Sequence, residues 1–155
     1  MTKYRRLSAS ELADLESQFV QFLVANTVTA ADWVNIKQRE PQHAIQLIDI
    51  FSDMVFENSL NKVEYLKFKA AKDIKVFKCS KDKIILLGIS VEADSPVDFS
   101  DEVDLPKLLL NHEGLSVYRA EKKYKGDRLR EIFEMMEGGA LISDGSLFAI
   151  LEKIY

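Results

Sequence analysis

Apolar residues recur at helical spacing from the start of the chain. Leu12, Leu15, Phe19, Phe22 and Leu23 line one face of a helix that the pattern places from Ser8 to about Asn26. Its entry has the grammar of a capping box: Ser8 as cap, Glu11 to return the hydrogen bond, and Leu7 to pack on Leu12. The same grammar recurs at Val28-Thr29-Ala30-Ala31-Asp32-Trp33, with Asp as the acidic partner, and predicts a second helix from Ala30 to about Arg39. Pro41 then suits a first helical position, where a missing N–H costs nothing, and opens a helix to about Asn58. Ala44, Ile45, Leu47, Ile48, Ile50, Phe51, Met54, Val55 and Phe56 make it apolar nearly all round. The exception is a stripe of Gln42, Gln46, Asp49, Asp53 and Glu57.

Beyond Asn61 the period changes from 3.6 to 2. Val63–Ala70, Ile74–Cys79 and Ile84–Val91 are β-branched and aromatic runs interleaved with lysine, and read as strands. The turn Ser80-Lys81-Asp82-Lys83 is too short for a crossover, so the strands it joins are antiparallel. An acidic loop from Glu92 to Asp104 leads to a short helix around Leu105–Asn111, and Leu115–Lys122 predicts a fourth strand. Leu129, Ile132, Phe133 and Met136 form one face of a helix that Gly138-Gly139 can end through a left-handed cap. Ile142-Ser143-Asp144-Gly145-Ser146-Leu147 reads as a third cap and staple, with Ser143 as the cap, opening a last helix to about Lys153.

The predicted fold class is therefore α+β. N-terminal helices (about 8–58), a small, mainly antiparallel sheet of about four strands (63–122) and C-terminal helices (127–154) pack in one domain, 1–155. A boundary near Asn61 is conceivable, but each half alone would be small, and a chain of this length buries about 70% of its unfolded surface as one body.

Composition adds exclusions. At 47% hydrophobic and 30% charged, with six Gly and three Pro in 155 residues, the chain is neither disordered nor low-complexity. The longest apolar run, Ile84–Ile89, is far shorter than the ~20 residues of a membrane-spanning helix. The basic N-terminus lacks the apolar stretch of a signal peptide, and a single cysteine, Cys79, fits a reducing compartment, so cytoplasm is expected, with no membrane association.

Chemistry-bearing residues are sparse. Glu40-Pro41-Gln42-His43 has the Glu-x-x-His spacing of di-iron carboxylate proteins, but that site needs two such motifs in mid-helix, and Pro41 puts Glu40 at a helix start. His112 sits at a predicted helix end, where a dipole partner suffices to explain it. Cys79 in an apolar strand reads as a small hydrophobe. The carboxylates from Asp94 to Asp104 lack the alternating ligands and central Gly of a calcium loop. No nucleophile elbow, P-loop or dinucleotide fingerprint occurs, so no catalytic residue, metal or cofactor is assigned.

Two constellations remain. Asp49, Asp53 and Glu57 are three like charges on one helix face, whose repulsion is relieved by an internal cation such as Arg5, Arg6, Lys37 or Arg39, by solvent screening, by a divalent ion or by the basic surface of a partner. Charge is also unevenly distributed, with eight lysines against three acids in 61–91 and six Lys or Arg against two acids in 114–130. On the first strand Tyr65, Lys67 and Lys69 share a face. Near the fourth, Tyr118, Arg119, Lys122, Lys123 and Tyr124 cluster. Basic residues with aromatics on a sheet could serve a single-stranded nucleic acid, although charged edge strands also resist aggregation and the pI is only about 5.3.

Lys3-Tyr4-Arg5-Arg6-Leu7, Asp49-Ile50-Phe51-Ser52-Asp53, Phe77-Lys78-Cys79 and Gly139-Ala140-Leu141-Ile142-Ser143-Asp144-Gly145 together resemble the landmarks of a small uncharacterised protein family of Bacteroidota, over almost the whole chain. The resemblance implies a bacterial, cytoplasmic, single-domain protein and brings no activity, ligand or catalytic residue. The leading expectation is a non-enzymatic protein acting through macromolecular interaction, with a protein partner or with itself. Self-association follows if the apolar third helix, or Phe133, Met135 and Met136, is left uncovered. Nucleic-acid binding through the basic strands and a metal- or carboxylate-dependent enzyme are the alternatives.

Overall fold

The computed structural model describes residues 1–110 and 114–155. The expectation for His112 lies outside them. Two compact units divide the chain, Met1–Asn61 and Lys62–Tyr155.

The first unit is helical: α1 (Ala9–Asp14), α2 (Glu16–Ala25), α3 (Ala30–Arg39) and α4 (Pro41–Asn61). Both capping boxes form as expected, Ser8 with Glu11 and Thr29 with Asp32. The single helix expected over 8–26 is instead two. Leu15 leaves helical geometry (φ −106°, ψ 21°), and its N–H reaches both Glu11 O and Leu12 O, a tightened turn that re-aims α2. The core of this unit joins Leu7, Phe19, Phe22, Leu23, Ile36, Ala44, Leu47 and Phe51. At its centre Phe51 stands 5.0 Å from the ring of Phe19 and 5.4 Å from that of Phe22. The polar stripe of α4 is only partly its solvent face: Gln42 and Gln46 are exposed. Asp49 is buried, whereas Ile50 (57% exposed) and Met54 (40%) are open.

The second unit contains β1 (Tyr65–Lys69), β2 (Asp73–Cys79), β3 (Lys83–Val91), α5 (Leu105–Leu110), β4 (Leu115–Lys123), α6 (Arg128–Glu137), β5 (Leu141–Ser143) and α7 (Ser146–Ile154). Its sheet has five strands rather than about four, all antiparallel, in the order β4-β3-β2-β1-β5. The added strand, β5, takes the Ile142-Ser143 segment read as a helix cap. The start of α7 moves to Ser146, behind a left-handed Gly145 (φ 84°), with the Asp144 carboxylate accepting from Ser146 N–H. No alanine fits at 145, since a Cβ there would lie 2.6 Å from the Tyr65 ring.

Register sorts the strand residues between two faces. Ile74, Val76, Leu87 and Ile89 point to one, where Leu147, Phe148 and Leu151 of α7, Leu109 of α5 and Phe99 cover them. Phe99 belongs to the acidic loop, which is not merely solvated. The Lys72 ammonium donates to Ser95 O and Val97 O, both at 2.6 Å, and Phe99 N–H donates to Ala71 O, seating a wholly buried ring. Leu66, Cys79 and Ile84 are buried on the opposite face.

Candidate interaction surface

The acidic stripe comes together, and residues 3–7 occupy it. Arg6 grips Asp49 with Nε at 2.6 Å from Oδ1 and Nη2 at 3.2 Å from Oδ2, which holds the Asp49 carboxyl below its usual range. Asp53 accepts the Lys3 backbone N–H on both oxygens at 2.9 and 3.0 Å, and Glu57 accepts Lys3 Nζ at 2.9 Å. Between them Leu7 N–H donates to Ser52 Oγ, which passes its own hydrogen to Ile48 O. A segment of the same chain thus supplies the compensating cations. Arg6 was among the internal partners expected from the sequence. Lys3 was not, because half of its contribution is a backbone N–H that no charge pattern reveals.

The basic and aromatic residues of the sheet are dispersed. Tyr65, Lys67 and Lys69 do share a face, but it is the one α7 covers, and the Tyr65 ring packs 5.5 Å from that of Phe148. Tyr118 projects from the other face. Gly88, directly opposite on β3, lets the ring lie flat on the sheet, where its hydroxyl donates to Asp73. Lys75 closes that cluster at 2.5 Å from Asp73. Burial and the Asp73 carboxylate raise the Tyr118 pKa, while Asp73 raises that of Lys75. The Tyr124 hydroxyl donates to Ser80 O at 2.7 Å, beside Arg128, whose guanidinium reaches the carbonyls of Val63, Cys79 and Ser80. All three tyrosines are thus engaged internally and do not form one stacking platform.

Cys79 is buried and its thiol is pushed up to about 11 by desolvation, the opposite of an activated nucleophile. Glu40 ends α3 and His43 lies exposed on the first turn of α4. Among the described residues no three His, Cys, Asp or Glu side chains converge as a metal site. A cleft of about 530 Å³ at the start of α6 is lined by Lys122, Lys125, Arg130 and Glu131, but Asp127 already caps the helix and Glu131 stands 3.5 Å from Lys122.

The sheet ends on β5, of three residues, and on the longer β4. The latter is paired with β3 from Leu115 to Lys123, and Arg119, Ala120, Glu121, Lys122 and Lys123 are all exposed. Arg119 and Glu121 lie on the covered face at its rim and bond each other, and Glu121 also takes Lys83 Nζ at 3.1 Å. These two cations hold the Glu121 carboxyl below its usual range. Lys122 is on the opposite face. Arg119, Lys122 and Lys123 stand out in the sequence as cations; Glu121 does not, because its alternation with Arg119 becomes meaningful only once β4 is known to be an edge.

Among the described residues no helix is long and apolar enough to cross a membrane. No curated protein and no solved structure matches the chain. A family model, described as a family of unknown function (DUF6495), matches residues 1–155. With the whole length matched, the chain belongs to that family.

Proposed function

We propose that this protein is non-enzymatic and acts by macromolecular interaction, through the exposed half of β4 and the sheet rim beside it. The observation that carries the reading is the outer strand itself: nine residues fully paired on one side, with five consecutive charged or small side chains exposed on the other half of its length. The perturbed acids support a structural rather than catalytic use of charge. Glu11, Asp32, Asp98 and Asp144 owe their lowered pKa values to caps, turns or ion pairs, and Asp49 owes its own to Arg6. The setting we propose is the bacterial cytoplasm, in Bacteroidota.

The test compares what the native protein and a triple variant, Arg119→Ser with Lys122→Ser and Lys123→Ser, retain from native cell extract. Components held by the first and lost by the second sustain the reading, and identical retention refutes it. Nuclease treatment of the eluate separates a protein partner from a nucleic acid. The latter is the second reading, and it draws on the three cations of this one strand.

A further inference from the structure

The geometry points to a second copy of this chain as the occupant of the β4 edge, paired antiparallel through a two-fold axis at Ala120 so that two five-stranded sheets become one of ten strands. This rests on the reading above and names its partner. A two-fold axis normal to the sheet keeps corresponding faces on the same side, so residues directly opposite each other must have the same parity. Charge then separates the register centred on Ala120 from the two next to it.

Centred on Ala120, Arg119 faces Glu121 of the partner subunit and Glu121 faces Arg119 of the partner subunit, two reciprocal ion pairs about a small residue. Val117 then meets the stem of the partner's Lys123, and Tyr118 meets the partner's Lys122. A shift of two residues one way sets Arg119 against Arg119 of the partner subunit. The same shift the other way sets Glu121 against Glu121 of the partner subunit and Arg119 against Lys123 of the partner subunit. Both are repulsive. In the single chain Arg119 and Glu121 bond each other along the rim, and the pairing exchanges that contact for the two reciprocal ones. The charges of the strand thus suit this register and oppose the two next to it.

Sedimentation equilibrium of the purified full-length chain, over about 10 μM to 1 mM because an edge-only interface is smaller than a standard one, reads the association directly. The wild type is expected to dimerise with concentration. Arg119→Glu and Glu121→Arg should each weaken the dimer by about tenfold or more, since each sets like charges opposite one another twice. An equimolar mixture of those two single variants restores complementarity and should dimerise like the wild type, as should the double exchange R119E/E121R. Far-UV circular dichroism verifies that each variant is folded. In the wild type, hydrogen exchange across 115–123 should slow with concentration. A wild type that stays monomeric to 1 mM, single reversals that leave the dimer unchanged, or a mixture that fails to recover it would each overturn the inference. None of those results alters the comparison of eluates, so the broader reading can stand when this one falls.

Discussion

Gly88 and Tyr118 face each other across β3 and β4, and a methyl group added at Gly88 probes what holds the ring down. The Cβ of Gly88→Ala would lie 2.0 Å from Tyr118 Cζ and 2.4 Å from both Cε2 and the hydroxyl oxygen. Carbon atoms need about 3.5 Å, so the ring must withdraw by roughly 1.5 Å. That withdrawal breaks the hydroxyl's bond to the Asp73 carboxylate. A hydrogen bond to a charged acceptor is worth about 1.5 to 3 kcal/mol, and with a half-buried phenol partly resolvated, roughly 1 to 2 kcal/mol is lost. Against this, Ala in a strand gains about 0.5 to 1 kcal/mol over Gly. The wild-type background should therefore lose about 1 kcal/mol. In a Tyr118→Ala background the ring is gone, only the backbone gain remains, and Gly88→Ala should stabilise. Urea denaturation by far-UV circular dichroism, with peptide-resolved hydrogen exchange over β3, gives the four stabilities of the cycle. The single tryptophan, Trp33, is in the helical unit and does not report on this sheet. If Gly88→Ala stabilises the wild type, or has the same effect in both backgrounds, the Tyr118 ring is not what the methyl group displaces.

Three further outcomes follow from local chemistry. Glu11, held down at about 2 mainly by Arg5 with the Ser8 N–H, favours the folded state above its ordinary value of 4.5, and that contribution disappears as pH falls toward 2. Glu11→Gln should flatten the stability profile across that window, by less than about 1 kcal/mol given the solvent screening of a partly exposed pair; an unchanged acid limb in urea titrations would contradict it. Cys79, buried and raised to about 11, should react with a disulfide reagent at pH 8 only through opening of the second unit, so at fixed reagent its labelling rate should rise with urea. Arg128→Met keeps the apolar stem but leaves the carbonyls of Val63 and Cys79 without their shared donor, and should cost about 2 kcal/mol in denaturant unfolding. A loss below about 0.5 kcal/mol would mean that water replaces the guanidinium.

Where a local rule decides, the residues already state the structure. Ser8 with Glu11, Thr29 with Asp32, Pro41 at a helix start and the short Ser80–Lys83 turn each form as their chemistry predicts. Where the deciding partner is distant, they do not. Leu15 has no breaker near it, and its departure from α geometry cannot be seen in an unbroken helical period. Leu141–Ser143 is too short for a period of two to emerge, and Ser143-Asp144 offers turn chemistry that equally suits a cap. The alternation of Tyr65 with Leu66 is plain, but nothing in it says that α7 covers the tyrosine side. Asp49 shows the same limit, because only the fold brings Arg6 to it. Likewise, the charges of β4 are visible at once, while their position on an edge depends on a strand order the sequence does not carry.

That strand order also sets a sequence of events in time. β1 to β4 pair each with the next strand along the chain, whereas β5 must return past all of them to lie against β1, bringing Ser143 to Tyr65 and Leu141 to Lys67. Closing so long a loop is slow compared with forming adjacent hairpins, so the outer edge of β1 stays open until residues 141–143 arrive. During that interval Leu66 and Phe68 flank an unguarded row of backbone donors and acceptors, the arrangement most prone to wrong pairing. The three residues of β5 are thus the last in chain order to reach the sheet, and the whole cover of the β1 edge rests on them.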